Sequence, residues 1–245
     1  MTAPPRVALL VTCFNDTIFP GVGKATVTVL ERLGCEVVFP AEQTCCGQMH
    51  GNSGARDEGL ALAARTIRVF ADEATVVCPS ASCVGWLREL APRLAREAGE
   101  EGLVADLEAF AGRLFELTEF LCDRLGVDDV GAFFPHRVAY HPTCHSQRGL
   151  RLGDRPLRLL RSVDGLDLAE VEDEDCCGFG GTFAVKNADV STAMLGDKMA
   201  ALRATGAEVC TAVDSSCLMQ IGGGLGHARA GMRTMHLAEI LASER

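Results

Sequence analysis

Arg6-Val7-Ala8-Leu9-Leu10-Val11-Thr12-Cys13 (RVALLVTC) is an apolar run that ends on a cysteine, and it returns as RVAYHPTC from Arg137 to Cys144. Each copy reads as a short buried strand with a thiol just past its end. Working outward, Cys45 follows Cys13 by 32 residues, and Cys176 follows Cys144 by 32. Each of these opens a Cys-Cys-Gly corner, EQTCCGQ at Glu42–Gln48 and EDCCGF at Glu174–Phe179. PSASC then ends at Cys83 and VDSSC at Cys217, 37 and 40 residues past Cys46 and Cys177. LTEFL at Leu117–Leu121 parallels LAEIL at Leu237–Leu241. Because every landmark recurs in the same order, the chain is a duplication, with residues 1–130 and 131–245 as homologous halves.

Strand and helix patterns alternate in each half. In the first, strands are expected at Val7–Val11, Cys35–Phe39 and Ala74–Cys78, with helices at Gly21–Leu33, Ala55–Ala71 and Val84–Ala98. The second half repeats this with strands at Arg137–Tyr140, Leu168–Val171 and Glu208–Val213 and helices at Pro156–Arg161 and Val190–Thr205. Between them, Glu97–Phe134 reads as a connector with one helix, Leu103–Leu125, whose C-terminal part packs against the first half. The fold class is α/β: two pseudosymmetric Rossmann-like halves with small parallel sheets flanked by helices. Ligands collect at the carboxyl ends of such strands, and the cysteine groups of each half all follow strands.

Composition narrows the chemistry. The 245 residues carry a net charge of −10 and no basic run, which argues against nucleic acid and against direct membrane insertion. The first apolar run is too short for a signal-peptide core or a membrane span, so a cytoplasmic location is expected. Twelve cysteines in such a chain point to metal or redox chemistry rather than to disulfides.

Four thiols from three segments converge in each half: Cys13, Cys45, Cys46 and Cys83, then Cys144, Cys176, Cys177 and Cys217. Such a set suits tetrahedral zinc or an iron–sulfur cluster. Adjacent cysteines chelate one ion only with strain but readily reach two irons of one cluster. Cys-x-x-Cys knuckles of structural zinc are absent, which favours iron–sulfur, with zinc as the alternative.

VTCFND, EQTCCGQ, NSGA, CCGFGGTFAVKNADVS and CLMQIGG together resemble the cysteine-rich CCG-domain family, and within it the lactate-utilization protein A subgroup, over essentially the whole chain. The cysteine-rich subunit of heterodisulfide reductase is a more distant likeness. The resemblance implies an iron–sulfur electron-transfer subunit of a complex oxidising L-lactate to pyruvate. It would work with a ferredoxin-type iron–sulfur partner and a third lactate-utilization subunit. The alternatives are a thiol–disulfide redox subunit like that of heterodisulfide reductase and a zinc-stabilised assembly module. The full family motif closes with Cys-x-x-Cys, but Ser80 and Asp214 stand at its first position here. Four ligands per half imply at most one cluster each, a [4Fe-4S] cluster being the expected type. Asp214 and His145 are auxiliary ligand candidates, although helix capping is the simpler role for Ser80 and Asp214.

Cys78 and Cys210 lie in strands and read as core residues, as do the unmatched Cys35 and Cys122. His141, His145 and His50 lie near the cysteines and could bond cluster sulfides or carry protons; His236 reads as structural. Gly180, Gly181 and Gly222–Gly224 fit no nucleotide fingerprint and are expected to bend the chain near the cluster. Lys186 is expected to be solvated. Hydrolytic constellations are missing.

Overall fold

The computed structural model describes residues 4–169, 171 and 175–245. The first half forms an all-parallel sheet in the order β2-β1-β3-β4, with β1 at Arg6–Leu9, β2 at Glu36–Val38, β3 at Val76–Cys78 and β4 at Leu114–Glu116. The second forms an all-parallel sheet in the order β6-β5-β7-β8, with β5 at Arg137–Tyr140, β6 at Asp167–Ala169, β7 at Val209–Ala212 and β8 at Arg233–His236. Registers match as well: Val7 lies opposite Val37 in one sheet and Val138 opposite Leu168 in the other. Helices cover both faces, so the inner strands are unbroken apolar runs: Val7, Ala8, Leu9, Val76 and Val77 are all buried.

Six strands fall where the apolar runs put them, β6 overlapping a predicted strand whose Glu170 lies outside the described residues. β4 and β8 are additional. The helix expected over Leu103–Leu125 is instead a helix at Glu101–Ala111, the strand β4, and then a helical stretch through Leu117–Glu119 and a π-helical turn at Phe120–Arg124. β3 is buried, so its outer backbone groups need partners. Leu114, Phe115 and Glu116 supply them, opposite Val76, Val77 and Cys78. The helix predicted at Val84–Ala98 begins earlier, at Ala81, and passes through a π-helical turn at Trp86–Leu90 before Ala91–Glu97. Pro92 has no N–H for the carbonyl of Arg88, and the turn before it widens.

The halves exchange their last helices. Leu237–Ala242 packs on the Pro20–Arg32 helix of the first half, and Leu117–Glu119 contacts the Arg155–Arg161 helix of the second. Leu117, Phe120 and Leu121 also share a core with Val7, Val22, Val77 and Ala81, so the connector's C-terminal part packs on both halves, not on the first alone. One apolar core therefore runs through Val29, Leu30, Leu121, Leu159, Ile240 and Leu241 across the junction. Polar contacts follow the same exchange. Arg32 donates to the carbonyls of Leu241 and Ala242 at 3.0 and 2.8 Å, closing the final helix. Arg155 and Arg158 pair with Asp123 and Asp128 at 2.7 and 2.6 Å. No helix among the described residues is long and apolar enough to cross a membrane.

Candidate metal centre

Strand order 2-1-3-4 reverses direction between β1 and β3, and 6-5-7-8 between β5 and β7. Crevices open at the carboxyl ends of strands where the winding reverses. Cys13 begins the Cys13–Thr17 helix just after β1, and Cys83 lies in the Ala81–Gly85 helix after β3. Cys144 and Cys217 occupy the matching places after β5 and β7, Cys217 within the Ser215–His227 helix. The corner thiols are brought in from the side. Gln43 stitches the first corner to the β1 strand end: its side-chain carbonyl accepts from the Val11 N–H at 2.8 Å, and its amide donates to the Leu9 and Pro40 carbonyls at 3.1 and 2.9 Å. Trp86 Nε1 donates to the Cys46 carbonyl at 2.7 Å.

The corner glycines are required by space as well as by conformation. Gly47 has φ 97°, and a Cβ there would lie 2.4 Å from the Gly59 carbonyl oxygen. Gly178 has φ 82°, and a Cβ there would lie 2.6 Å from the Ser191 carbonyl oxygen. Both values are left-handed, where a side chain is costly. In return each corner's N–H points back at sulfur: Gly47 N is 3.4 Å from Cys45 Sγ, and Gly178 N is 3.4 Å from Cys176 Sγ.

All twelve cysteines are free. The sulfurs of Cys13 and Cys45 are 3.8 Å apart, those of Cys46 and Cys83 3.1 Å, and those of Cys144 and Cys176 3.6 Å. Cys177, Cys217 and His141 complete the second set, their ligand atoms lying within 4.8 Å of one another. The two sets are not remote. All eight cysteines line one cavity between the halves, of about 780 Å³ counting the space that opens to solvent. Phe14 and Phe179 meet edge to face across it, with ring centroids 5.8 Å apart.

Crowding sets the proton positions. The Cys13 thiol donates toward Cys45, which pulls Cys45 far down and pushes Cys13 up. Cys144 does the same to Cys176. Neighbouring sulfur and burial raise Cys46 and Cys177. Each outer pair thus has one thiol pulled down and its neighbour pushed up, and a soft cation would displace the protons from both. Eight soft donors in two fours, free of disulfides and facing a cavity, fit a thiolate-bound metal or cluster.

Ser80 caps as expected, its oxygen 3.4 Å from the Cys83 N–H. Asp214 does not cap its own helix. It reaches across the junction, accepting from Ser80 Oγ at 3.0 Å and the Ser82 N–H at 2.9 Å, and from Thr143 Oγ1 at 2.7 Å. Both carboxylate oxygens are thus engaged by hydrogen bonds, and Asp214 clasps the halves beneath the cavity. His145 lines the cavity, with Nε2 3.4 Å from the Gln48 side-chain nitrogen of the other half. His141 is buried beside Cys177 and Cys217, whereas His50 is exposed at the surface. Cys35, Cys78, Cys122 and Cys210 are all buried away from the cavity.

Gly180 and Gly181 bend the chain at the cavity, with φ 53° and 68°. Gly222–Gly224 do not: they lie inside the Ser215–His227 helix. A Cβ on Gly222 would lie 2.7 Å from Thr234 Oγ1 of β8, and one on Gly224 2.6 Å from Met199 Sδ of the Ala188–Ala204 helix, so these two allow close packing on both neighbours, while a Cβ on Gly223 would meet open space. Lys186 is exposed. Glu174, in the second quoted corner, lies outside the described residues.

Two residues escape sequence reading: Asn15, whose amide donates to the Pro79 carbonyl at 3.1 Å and whose carbonyl accepts from Ser215 across the junction, and Glu116. Glu116 ends β4 as the cap of the next helix, and its repeat partner His236 ends β8 in the same role. The parallel between LTEFL and LAEIL is the available signal; the capping residue sits one position before each.

The cysteine-rich CCG domain profile matches residues 7–88 and 138–222. Lactate utilization protein A of Exiguobacterium sp. is 47% identical over 240 residues, covering 97% of both chains. Its namesakes from Oceanobacillus iheyensis and Bacillus subtilis are 44% and 43% identical, covering 98% and 97% of this chain and 98% and 99% of their own.

Proposed function

The chain belongs to the cysteine-rich CCG domain family, alongside relatives named lactate utilization protein A, and from that membership we propose that it is an iron–sulfur electron-transfer subunit of an L-lactate-oxidising complex. The observation that carries the reading is the gathering of eight free thiols, four from each repeat, around one cavity. Cys13, Cys45, Cys46 and Cys83 would hold one [4Fe-4S] cluster, and Cys144, Cys176, Cys177 and Cys217 a second. Such a cluster, when bound, takes up and passes on one electron at a time. Oxidation of lactate to pyruvate releases two electrons and two protons, so two one-electron sites match its electron count.

The chain's own residues would do the rest. The Gly47 and Gly178 N–H groups donate toward Cys45 and Cys176, withdrawing charge from the ligand sulfurs. Phe14 and Phe179 keep water from the centre. Asp214 holds the two sets in register. His141 and His145, beside the sulfurs, would carry protons to and from the centre. Electrons would pass to a ferredoxin-type partner, with a third lactate-utilization subunit completing the complex. Free thiols suit the reducing cytoplasm. A serine and an aspartate at the Cys-x-x-Cys positions, hydrogen-bonded to each other, weigh against the thiol–disulfide alternative.

Anaerobic purification tests the reading. Brown protein with acid-labile sulfide and about four irons per four thiols is expected. Stoichiometric zinc in a colourless protein would overturn it.

A further inference from the structure

The duplication gives each thiol set an internal control. β1 and β5 align residue for residue, and the residue that follows the strand is Leu10 in one half and His141 in the other. The backbones are equivalent there: the Leu10 N–H donates to the Val77 carbonyl at 2.9 Å, and the His141 N–H to the Thr211 carbonyl at 2.7 Å. Side chains alternate faces along a strand. Val138 and Tyr140 belong to the core shared by the halves, and Ala139 to the core that contains Cys177 and Cys217. His141 continues the face of Ala139. In the first half Ala8 and Leu10 share a core with Cys46 and Cys83. One place, beside the same two thiols, thus holds a hydrocarbon in one half and an imidazole in the other.

That imidazole is within reach of a shared ion. His141, Cys177 and Cys217 are all buried, and one ligand atom from each lies within 4.8 Å of the others. A cation about 2.3 Å from sulfur and about 2.0 Å from nitrogen holds such donors about 3.6–3.8 Å apart. Small side-chain rotations close the set. Zinc and iron both accept imidazole beside thiolate. Asp214, the other candidate near Cys217, has both oxygens engaged at the junction.

We propose that His141 is a ligand of the second metal centre, giving one ring nitrogen to the metal that Cys177 and Cys217 hold, and that the two centres are therefore unlike. The assignment rests on the reading above for the kind of metal group, but not for the donor. The second set then offers five donors and the first four. The ring nitrogen that faces away from the metal keeps the proton role given above. Centres with unlike donors differ in potential, so the two electrons of lactate would be taken up at two different potentials, one at each centre.

The test uses the full chain, metal-free and reduced, with cobalt(II) as the probe of the second set. Cys45→Ser and Cys46→Ser silence the first set in every sample. In that background His141→Leu, which copies the first half, and His141→Asn, which stays polar, should each weaken cobalt binding by about tenfold or more, at least what losing a partner of a ligand costs. Both should also move the visible bands toward those of an all-thiolate site, which loss of a packing role would not do. Cluster-loaded wild type made with heavy-nitrogen histidine, once reduced, should show a histidine nitrogen coupled to the iron spin in pulsed electron paramagnetic resonance, and His141→Asn should lose it. Unchanged cobalt affinity in both variants, or no nitrogen coupling that His141→Asn removes, would overturn the proposal. If the wild type takes up no iron and sulfide, the cluster reading falls, while the cobalt comparison still judges His141.

Discussion

Replacing Glu116 by Gln should remove a pH dependence of stability that its burial creates. Glu116 is 0% exposed. Thr118 donates to Oε2 through its N–H at 2.7 Å and through its hydroxyl, but Oε1 has no hydrogen-bond partner among the described residues. Arg88, a nearby cation, is committed to Glu119 at 2.7 Å. Burial therefore dominates the Thr118 hydrogen bonds, the Asp214 charge adds to it, and Glu116 is pushed up from 4.5 to about 8. The folded state then keeps a proton that the unfolded chain releases. Its contribution is whole below pH 4.5 and declines as pH rises to about 8, at most by about 1.4 kcal/mol per pH unit. Across the window that sums to a ceiling of about 5 kcal/mol, and relaxation around the ionised carboxylate will leave less. Wild type and Glu116→Gln would be unfolded in urea, metal-free and reduced, at several pH values. Thiol and histidine titrations are common to both and cancel in the difference. The variant should gain on the wild type as pH rises from 4.5 to about 8, and no further above it. A flat difference, or one that falls with pH, would refute the assignment of a neutral buried carboxyl.

His236 should give the opposite sign: burial pulls it from 6.5 down to about 4, so His236→Asn should gain on the wild type as pH falls between those values, read by the same urea titration. Gly47→Ala meets both a left-handed φ and a 2.4 Å backbone contact, and should cost about 2 kcal/mol or more and loosen the first thiol set, read by thermal melting and by iron retained after reconstitution. Leu241→Ala empties a fully buried site where the last helix meets the first half and should cost about 2–5 kcal/mol in chemical unfolding. Asp214→Ala leaves Ser80, Ser82 and Thr143 without their acceptor, and should lower the melting temperature more than Asp214→Asn, which keeps the shape.

The duplicated strands and the eight cysteines are legible because each leaves a local mark, an apolar run or a thiol at fixed spacing. β4 and β8 are not. They are three and four residues long, of mixed polarity, and exist because β3 and β7 need a second hydrogen-bonding neighbour. That need is visible only once the sheet is assembled. The role of Asp214 is hidden for a related reason. Local sequence offers it the cap of its own helix, whereas folding offers three donors, two of them from the other half.

The same reasoning says why the halves do not behave as two copies of one unit. A half that kept its last helix could bury its own core and close its own crevice. Here each lends that helix to the other, so the apolar core is continuous across the junction. Polar residues have diverged at that junction: Ser80 is matched by Asp214 and Glu116 by His236. A symmetric pair of carboxylates at the first of these positions would place two like charges together in a buried site. A hydroxyl facing a carboxylate gives a donor and an acceptor instead. The cysteines face an opposite constraint if each set is to serve as the ligand set proposed above, and they match position for position. Repetition is therefore kept at the thiols and broken where one half must recognise the other.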